Sequence, residues 1–362
     1  MLKNTHIWFP EYLRGKLRKK PRRKPVTVLF AMADHFEPEQ RPSDPLSLQV
    51  ERVREWIERF EGICGRCRDS DGNPPVHTYF YPQEQYSDTL LEMLSSHCHR
   101  GFGEVEIHIH HDRETEEGFL SKISEFKQQL ASHRLLSRDA MDQNKIKYGF
   151  VHGNWALDNA RPDGRWCGLN NEITLLRETG CYADFTLPSA PAEGQTRKIN
   201  SIYFSDDDPL RPKSHDRGRD LVFGAEDSGD LLLIQGPLTL NWHNRSRHIF
   251  PRIENGEINS RNPITAQRIR LWLEARISVR DREDVIFVKT HCHGMKPRNS
   301  EFLLGNGMEN GFSLLEEYFS GLENCTLKYV TAREMANIAL AYNDGVDPQI
   351  SELRDHRLKW PW

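Results

Sequence analysis

Short apolar stretches rich in β-branched residues recur along the chain, with helical spacing between them. The first stretch, 26–32, is followed by a helical face formed by Val50, Val53, Ile57 and Phe60. Short apolar runs bounded by turn residues predict buried strands, and apolar positions three or four residues apart predict amphipathic helices. The predicted strands are 26–32, 76–80, 105–109, 148–151, 182–187, 231–234, 285–288 and 327–330.

Helical patterns also lie between the later strands. Phe119, Ile123, Phe126 and Leu130 mark one helical face after the third predicted strand. Other helices are predicted from Leu169 to Gly180, from near Asn262–Pro263, and after the capping-box pair Thr331 and Glu334. This alternation predicts parallel strands with crossover helices, arranged as an α/β barrel or as an open doubly wound sheet.

The chain of 362 residues shows no convincing linker, so we expect one large domain. The predicted division is a basic N-terminal arm at 1–25, the α/β domain at 26–342 and a C-terminal tail at 343–362. The stretch 190–230 is rich in Asp, Arg, Pro and Ser and predicts an elaborated loop region, with 199–204 as its most strand-like part.

Charge and hydropathy limit the expected partners and the expected location. A formal net charge of −4 gives no global reason to expect nucleic acid as a partner. The basic segment 14–24 predicts a solvated arm, and contact with an anionic membrane surface or an acidic polymer is the alternative. No apolar run reaches the ~20 residues of a membrane span, and the N-terminus has no secretory h-region, so we expect a cytoplasmic protein. The seven cysteines predict free thiols.

Four polar clusters lie at or just after the C-terminal ends of different predicted strands. They are Asp34 with His35, His108 to Asp112, His152 to Trp155, and His291 with His293. Ligands bind at this edge of parallel α/β folds. The shared position therefore predicts one functional site.

The run from Glu106 to Asp112 predicts a divalent-metal site. Strand alternation sends His108 and His110 to one face, and Asp112 follows in the next turn. Imidazole nitrogens and a carboxylate are ligands that zinc favours, and three of them leave room for a water. An exposed, solvated histidine cluster is the alternative.

The other clusters suggest further roles in the same site. Asp34 is expected to complete the metal site, unless it serves as a turn residue. His291 or His293 is expected to protonate a leaving group or to stabilise an oxyanion, unless either is structural. Asn154 and Trp155 are expected to form a substrate wall, although a buried Trp is equally consistent with the sequence.

Taken together, these segments resemble the polysaccharide deacetylase superfamily. The segment "LFAMADHFEP" resembles the family's first motif, in which the second Asp of an acidic pair binds metal, and this implies Asp34. The segment "GEVEIHIHHD" is similar to the second motif, in which two metal-binding histidines stand four residues apart. This implies His108, with Asp112 or His110 as the other ligand. "VIFVKTHCHG" is similar to the last motif, which supplies a histidine as general acid.

The resemblance implies a distorted (β/α) barrel of parallel strands and a bound divalent metal, for which the histidine and carboxylate ligands favour zinc. It also implies removal of an acetyl group from an amino sugar or glycan. The sequence departs from the family at Ala33, which stands where the catalytic base is expected. Glu37 or Asp112 would then replace that base.

Two other functions remain open on the sequence. One is a metallohydrolase of the amidohydrolase or histidinol-phosphatase type, which also places His-x-His at a strand end. The other is a non-catalytic carbohydrate-binding protein that has lost its base.

Overall fold

The computed structural model describes residues 3–17, 26–246 and 250–361. Its strands are β1 Val26–His35, β2 His77–Pro82, β3 Gly103–Ile109, β4 Ser137–Asp139, β5 Ile146–His152, β6 Cys181–Asp184, β7 Ile202–Ser205, β8 Gly218–Asp220, β9 Leu231–Ile234, β10 Thr239–Ser246, β11 Phe250–Glu254, β12 Val285–Cys292, β13 Cys325–Tyr329 and β14 Leu358–Lys359. All eight predicted strands are present.

The helices lie between these strands, as the alternation predicts. They are α1 Phe9–Leu17, α2 Leu46–Cys64, α3 Asp88–His99, α4 Glu116–Ser132, α5 Glu172–Glu178, α6 Ala266–Ala275, α7 Pro297–Phe302, α8 Met308–Ser320, α9 Ala332–Asn343 and α10 Ile350–Leu353. The predicted capping box at Thr331 and Glu334 is formed at the start of α9. The sequence patterns did not predict helices α1, α3, α7, α8 and α10. None of the helices in the described ranges is long and apolar enough to cross a membrane.

A mostly parallel sheet runs through the molecule in the order β12-β1-β2-β3-β5-β6-β9-β7-β8. Strand β13 adds in parallel to β1, and β7 is antiparallel to both β8 and β9. The Lys289 Nζ atom of β12 donates to the Leu187 carbonyl oxygen beyond β6 at 2.6 Å, so the sheet curves strongly. The fold is therefore a barrel-like α/β structure. The described strands contain no ladder that closes the predicted barrel.

The two faces of the sheet bury different side chains. Val28, Phe30 and Met32 of β1 belong to a large core, to which α2, α3, α4 and α8 also contribute. We call this side the outer face. Leu29, Ala31 and Ala33 belong to a second core that includes most of α9, and we call this side the inner face. Because side chains alternate along a strand, neighbouring residues of β1 are committed to opposite faces.

Strand β3 places an unusual polar row on the inner face. Its apolar residues Val105, Ile107 and Ile109 lie in the outer core, so Glu104, Glu106 and His108 point inward. Glu106 accepts hydrogen bonds from the Tyr182 hydroxyl and the Gly149 N–H, both at 2.5 Å. Burial raises the pKa of Glu106 to about 8.

The two end segments pack against the sheet domain. Trp8, within the predicted arm, is fully buried beside Leu238 and Leu240, and the arm's described part ends with α1. Residues 1–2 and 18–25 of that arm lie outside the described residues. In the predicted tail, Leu353 and Leu358 are buried, and β14 pairs with β4. The described parts of the arm and the tail are therefore integrated into the fold.

Arg333 and Glu104 form a buried ion pair that joins α9, β3 and the C-terminal segment. Arg333 Nη2 donates to Glu104 Oε1 at 2.8 Å, and Arg333 Nη1 donates to the Leu358 carbonyl oxygen at 2.9 Å. Both side chains are nearly inaccessible, with exposures of 4% and 8%. Removal of the arginine would leave a buried carboxylate without its partner.

Replacement of Arg333 by Met is expected to lower the free energy of unfolding by about 3 to 5 kcal/mol, because the Glu104 charge becomes uncompensated. The double replacement Arg333→Met with Glu104→Met should recover much of this loss. Urea denaturation of the single and double variants measures both effects. A loss under about 1 kcal/mol in the single variant would show that the pair does not hold these segments together.

Candidate metal centre

His35 and His108 meet on the inner face at the C-terminal edge of the sheet. His35 ends the inner row of β1, and His108 ends the inner row of β3. Their ring centroids lie 4.7 Å apart. His293, just beyond β12, stacks on His35 at 4.6 Å with an interplanar angle of 27°. Three imidazoles from three strand ends are thus gathered at one point.

Glu37 joins these rings to a fourth histidine. Its Oε1 atom lies 3.4 Å from His108 Nε2 and 3.7 Å from His110 Nε2. Glu37, His35 and His293 each offer a ligand atom within 4.8 Å of the others, and the same holds for Glu37, His108 and His110. Glu37 is therefore the shared member of the group.

The hydrogen bond between His108 and the Val151 carbonyl oxygen decides the protonation of the ring nitrogen that faces Glu37. His108 Nδ1 lies 3.1 Å from the Val151 carbonyl oxygen, which can only accept, so Nδ1 carries the proton. In the neutral ring, Nε2 then directs a lone pair towards Glu37, and it has no hydrogen-bond partner among the described residues. Two acceptors facing each other in a buried place require a proton or a cation between them.

The electrostatics favour neutral imidazoles beside an ionised carboxylate. Burial, followed by the neighbouring His293, lowers the pKa of His35 far below its usual value. Burial also lowers the pKa of His293, to about 4. Burial raises the pKa of Glu37, but the neighbouring His108, His293 and Lys296 together outweigh it and lower the pKa to about 2. Neutral imidazole and carboxylate are the forms that bind zinc-type ions, so these residues suit such an ion.

His110 is held in place at the solvent-facing side of the group. Its Nδ1 atom donates to Glu84 Oε1 at 2.5 Å, and its side chain is 31% exposed. A Cβ atom at residue 153 would lie 2.4 Å from the His110 ring, so only glycine fits there. Burial lowers the pKa of His110, but the Glu84 contact outweighs it and raises the pKa overall. The pair is suited to moving a proton at the mouth of the site.

Asp34, which the sequence resemblance implies as a metal ligand, lies on the opposite side of the sheet. It belongs to the outer row of β1, where its carboxylate accepts from the Gly294 N–H at 2.6 Å and contacts His77 Nε2 at 3.0 Å. Alternation separates it from His35. Since Gly294 follows His293, Asp34 instead anchors the loop that carries His293.

Asp112 is also not brought to the centre. Its Oδ1 atom accepts from the Trp166 N–H at 2.5 Å, in the loop beyond β3. It therefore belongs neither to the ligand group nor to the position of a base. Of the residues expected as ligands, the structure gathers His108 and His110. It adds His35, His293 and Glu37, which the sequence suggested only as alternatives or in other roles.

A groove beside the centre contains two more of the expected residues. The Trp155 ring lies 5.6 Å from both His35 and His293. Trp155 and His291 line an adjoining cavity of about 270 Å³, together with Ser189 and Asn255. Asn154 is half-buried next to Trp155 and donates its backbone N–H to His152 Nδ1 at 3.2 Å.

Glu84 was not identified from the sequence. It lies two residues beyond the end of β2, and so it shares the edge position of the recognised clusters. The position of this carboxylate after a strand was the available signal. Its partner His110 follows a different strand, and only the pairing of β2 with β3 brings the two together.

No protein-family model matches the chain, and no curated protein does so either. Among solved structures, a GH57 branching enzyme from the archaeon Thermococcus kodakaraensis is similar at 10% identity. The alignment covers 83% of this chain and 70% of that chain, with a TM-score of 0.39. A GH57-type branching enzyme from Pyrococcus horikoshii is similar at 10% identity over 86% and 69% of the two chains, with a TM-score of 0.38.

The expectation of a deacetylase is wrong. These two solved structures are branching enzymes, and neither is a deacetylase. The site differs from the implied motifs too, because Asp34 faces away from His108 and Ala33 lies in the inner core. The similarity to the branching enzymes is too loose to assign their reaction to this chain.

The two neighbouring residues of β1 should respond differently to substitution. Asp34→Asn is expected to lower the free energy of unfolding by about 1 to 3 kcal/mol. The neutral amide makes weaker hydrogen bonds with the Gly294 N–H and His77 than the buried carboxylate does. It should leave the bound metal content unchanged. His35→Ala should lower the metal content. Urea denaturation and elemental analysis of the purified variants measure both quantities. A folded Asp34→Asn protein that has lost metal would show that Asp34 is a ligand.

Proposed function

We propose that His35, Glu37, His108 and His293 bind one divalent metal ion, with zinc as the preferred ion, in a hydrolytic enzyme that acts on carbohydrates. The observation that carries this proposal is the contact between Glu37 Oε1 and His108 Nε2 at 3.4 Å. The Val151 carbonyl oxygen makes Nε2 an acceptor, and a cation bound between Nε2 and Glu37 would satisfy both atoms. The removal of N-acetyl groups is not part of the proposal.

The donor set supports an ion of the zinc type rather than magnesium or calcium. Three of the four donors are imidazole nitrogens, whereas magnesium and calcium prefer oxygen ligands throughout. His108 also donates its second ring nitrogen to a backbone carbonyl, an arrangement common among zinc-binding histidines. A zinc ion held there would supply Lewis-acid activation of a water and polarisation of a substrate oxygen.

The chain's own residues have separate tasks in this mechanism. His110 lies closest to solvent among the histidines of the group, and Glu84 orients it through Nδ1. Its Nε2 therefore points towards the centre, where it protonates the departing oxygen of the substrate. Lys296 contributes positive charge near Glu37 and His293 and so favours developing negative charge.

The groove supports a carbohydrate as the substrate. The half-buried Trp155 offers an aromatic face beside the centre, and such faces suit the apolar sides of sugar rings. Polar side chains of Ser189, Asn255 and His291 line the adjoining cavity and can bind hydroxyl groups. Among the described residues the Ser189 hydroxyl has no hydrogen-bond partner, which a sugar hydroxyl would supply and an apolar substrate would not.

Metal binding is tested by equilibrium dialysis of the full chain against zinc, followed by elemental analysis. His108→Ala and Glu37→Gln are each expected to lower the bound zinc by one ion per chain. His99→Ala is the matched control, because His99 is an exposed histidine on α3 and should leave the zinc content unchanged. Equal zinc content in wild type and both site variants would refute the metal centre.

Catalysis is tested with zinc-loaded protein and a panel of glycosides, sugar esters and sugar phosphates. For a substrate that is turned over, Glu84→Gln should lower kcat by about 100-fold or more with unchanged zinc content, since His110 loses its orienting partner. Glu92→Gln, at an exposed position on α3, is the control and should keep full activity. Activity of Glu84→Gln at the wild-type level would rule out the proton-transfer role of the pair.

A further inference from the structure

Helix α1 turns an apolar stripe towards solvent. Phe9, Leu13 and Leu17 stand four residues apart, so they lie along one side of the helix. Their exposed fractions are 38%, 47% and 88%. In a helix that only packs against a domain, the apolar side faces the core and the polar side faces water. The stripe of α1 instead lies at the surface.

Other residues fix α1 to the domain. Trp8, directly before the helix, is fully buried, and Tyr12 packs against the same apolar cluster. The two rings meet edge to face, with their centroids 6.0 Å apart. Lys16 Nζ donates to Glu274 Oε2 of α6 at 2.8 Å. Because these contacts already hold the helix, a partner can bind the stripe without paying to order it.

Exposed apolar side chains are concentrated in this part of the described surface. Of the twelve large apolar side chains that are exposed within the described ranges, three belong to α1. Two more, Trp242 and Phe250, belong to β10 and β11. These strands form a hairpin whose Leu240 and Ile253 pack in the same apolar cluster as Trp8. Concentrations of exposed apolar side chains mark sites that bind proteins or membranes.

The sequence that follows α1 is strongly basic. Residues 18–24 contain six Lys and Arg residues and no acidic residue. The charged groups of α1 itself are paired, Arg14 with Glu11 and Lys16 with Glu274. The surplus of positive charge therefore begins where the helix ends. Basic clusters of this size beside an amphipathic helix are typical of segments that bind anionic lipids.

We propose that α1 binds the surface of a membrane that contains anionic lipids. Phe9, Leu13 and Leu17 enter the boundary between headgroups and acyl chains, as the apolar side of an interfacial helix does. The positive charge of residues 18–24 attracts the anionic headgroups, an attraction that acts within ~8 Å at physiological ionic strength. The two contributions add, and neither alone gives stable attachment.

The proposed surface lies near the groove beside the metal centre. Lys3 lines the same cavity as Trp155, and the Asn4 side chain donates to the Pro191 carbonyl oxygen at 2.9 Å. Phe9 is six residues beyond Lys3, and an extended chain of that length spans at most about 22 Å. A sugar carried by a membrane lipid would thus be close to the groove. This consequence rests on the proposed function, whereas membrane binding itself does not.

Two other partners suit only part of this surface. In a symmetric pair of chains, the same surface of each copy meets the other, so the two basic segments would lie close together and repel each other. An acidic macromolecule would pair with the basic segment but would leave the apolar stripe in water. An anionic membrane satisfies both the charge and the apolar side chains.

Binding is measured by sedimentation of the full chain with vesicles of phosphatidylcholine, either alone or mixed with phosphatidylglycerol. The wild type is expected to bind the mixed vesicles and to be released by high salt. Leu17→Glu should weaken this binding about tenfold or more, because it removes an inserted apolar side chain and adds a negative charge. Leu210→Glu is the matched control, because Leu210 is also 88% exposed but lies between β7 and β8, and it should bind like the wild type.

The electrostatic part is tested separately. Replacement of the six basic residues of 18–24 by Gln should weaken binding to the mixed vesicles and remove most of its salt dependence. Leu17→Phe keeps an apolar side chain and should bind like the wild type.

Two results would overturn the proposal: no binding of the wild type to the mixed vesicles at low salt, or wild-type affinity of Leu17→Glu. Binding to polyglutamate that Leu17→Glu retains would then indicate an acidic macromolecule as the partner. A wild-type dimer that Leu17→Glu separates, measured by light scattering, would indicate a second copy of the chain.

Discussion

The two-residue alternation of side chains along the parallel strands decides where every reactive group of this protein lies. At the C-terminal edge of the sheet, adjacent polar residues occur at the ends of several strands. Asp34 faces outward and His35 inward on β1, and the same division separates Cys292 from His293 after β12. Because a strand cannot turn two neighbours to the same side, the edge is divided into an inner and an outer set of groups.

Burying the polar inner row of β3 costs free energy, which hydrogen bonds and an ion pair from other parts of the fold must offset. Glu104 and Glu106 are buried carboxyl groups, and buried charge is unfavourable without partners. Arg333 pairs with Glu104, while the Tyr182 hydroxyl and the Gly149 N–H donate hydrogen bonds to Glu106. The partners come from α9, β6 and β5, so the polar row ties distant segments together. His108 ends this row, and its placement depends on the same set of contacts.

Much of the fold could be predicted from the sequence, because period-two and helical patterns are local. The eight strands and the capping box at Thr331 follow directly from such patterns. The face that Asp34 occupies could not be predicted in this way. Both rows of β1 are apolar, Val28, Phe30 and Met32 on one side and Leu29, Ala31 and Ala33 on the other, so the pattern does not show which row is inner.

The remaining site residues depend on contacts between distant parts of the chain. Glu84 reaches His110 across 26 positions. No local pattern predicts this pair. Helix α3 was missed for a different reason. Its buried face includes the polar residues Ser95 and His97, so the sequence does not show a regular apolar spacing there.

The similarity of motif order to a deacetylase did not transfer the roles of individual residues, and alternation explains why. A motif comparison aligns residues along the chain, but a ligand must also lie on the correct side of its strand. A residue one position further along the strand still lies at the same edge of the sheet, but its side chain points to the opposite face. Thus Asp34 aligns with an expected ligand and yet anchors Gly294 on the outer side, whereas His35, one residue later, lies beside His108. In a parallel α/β fold, a metal-binding role is therefore transferred between aligned residues only when both lie on the same face of the sheet.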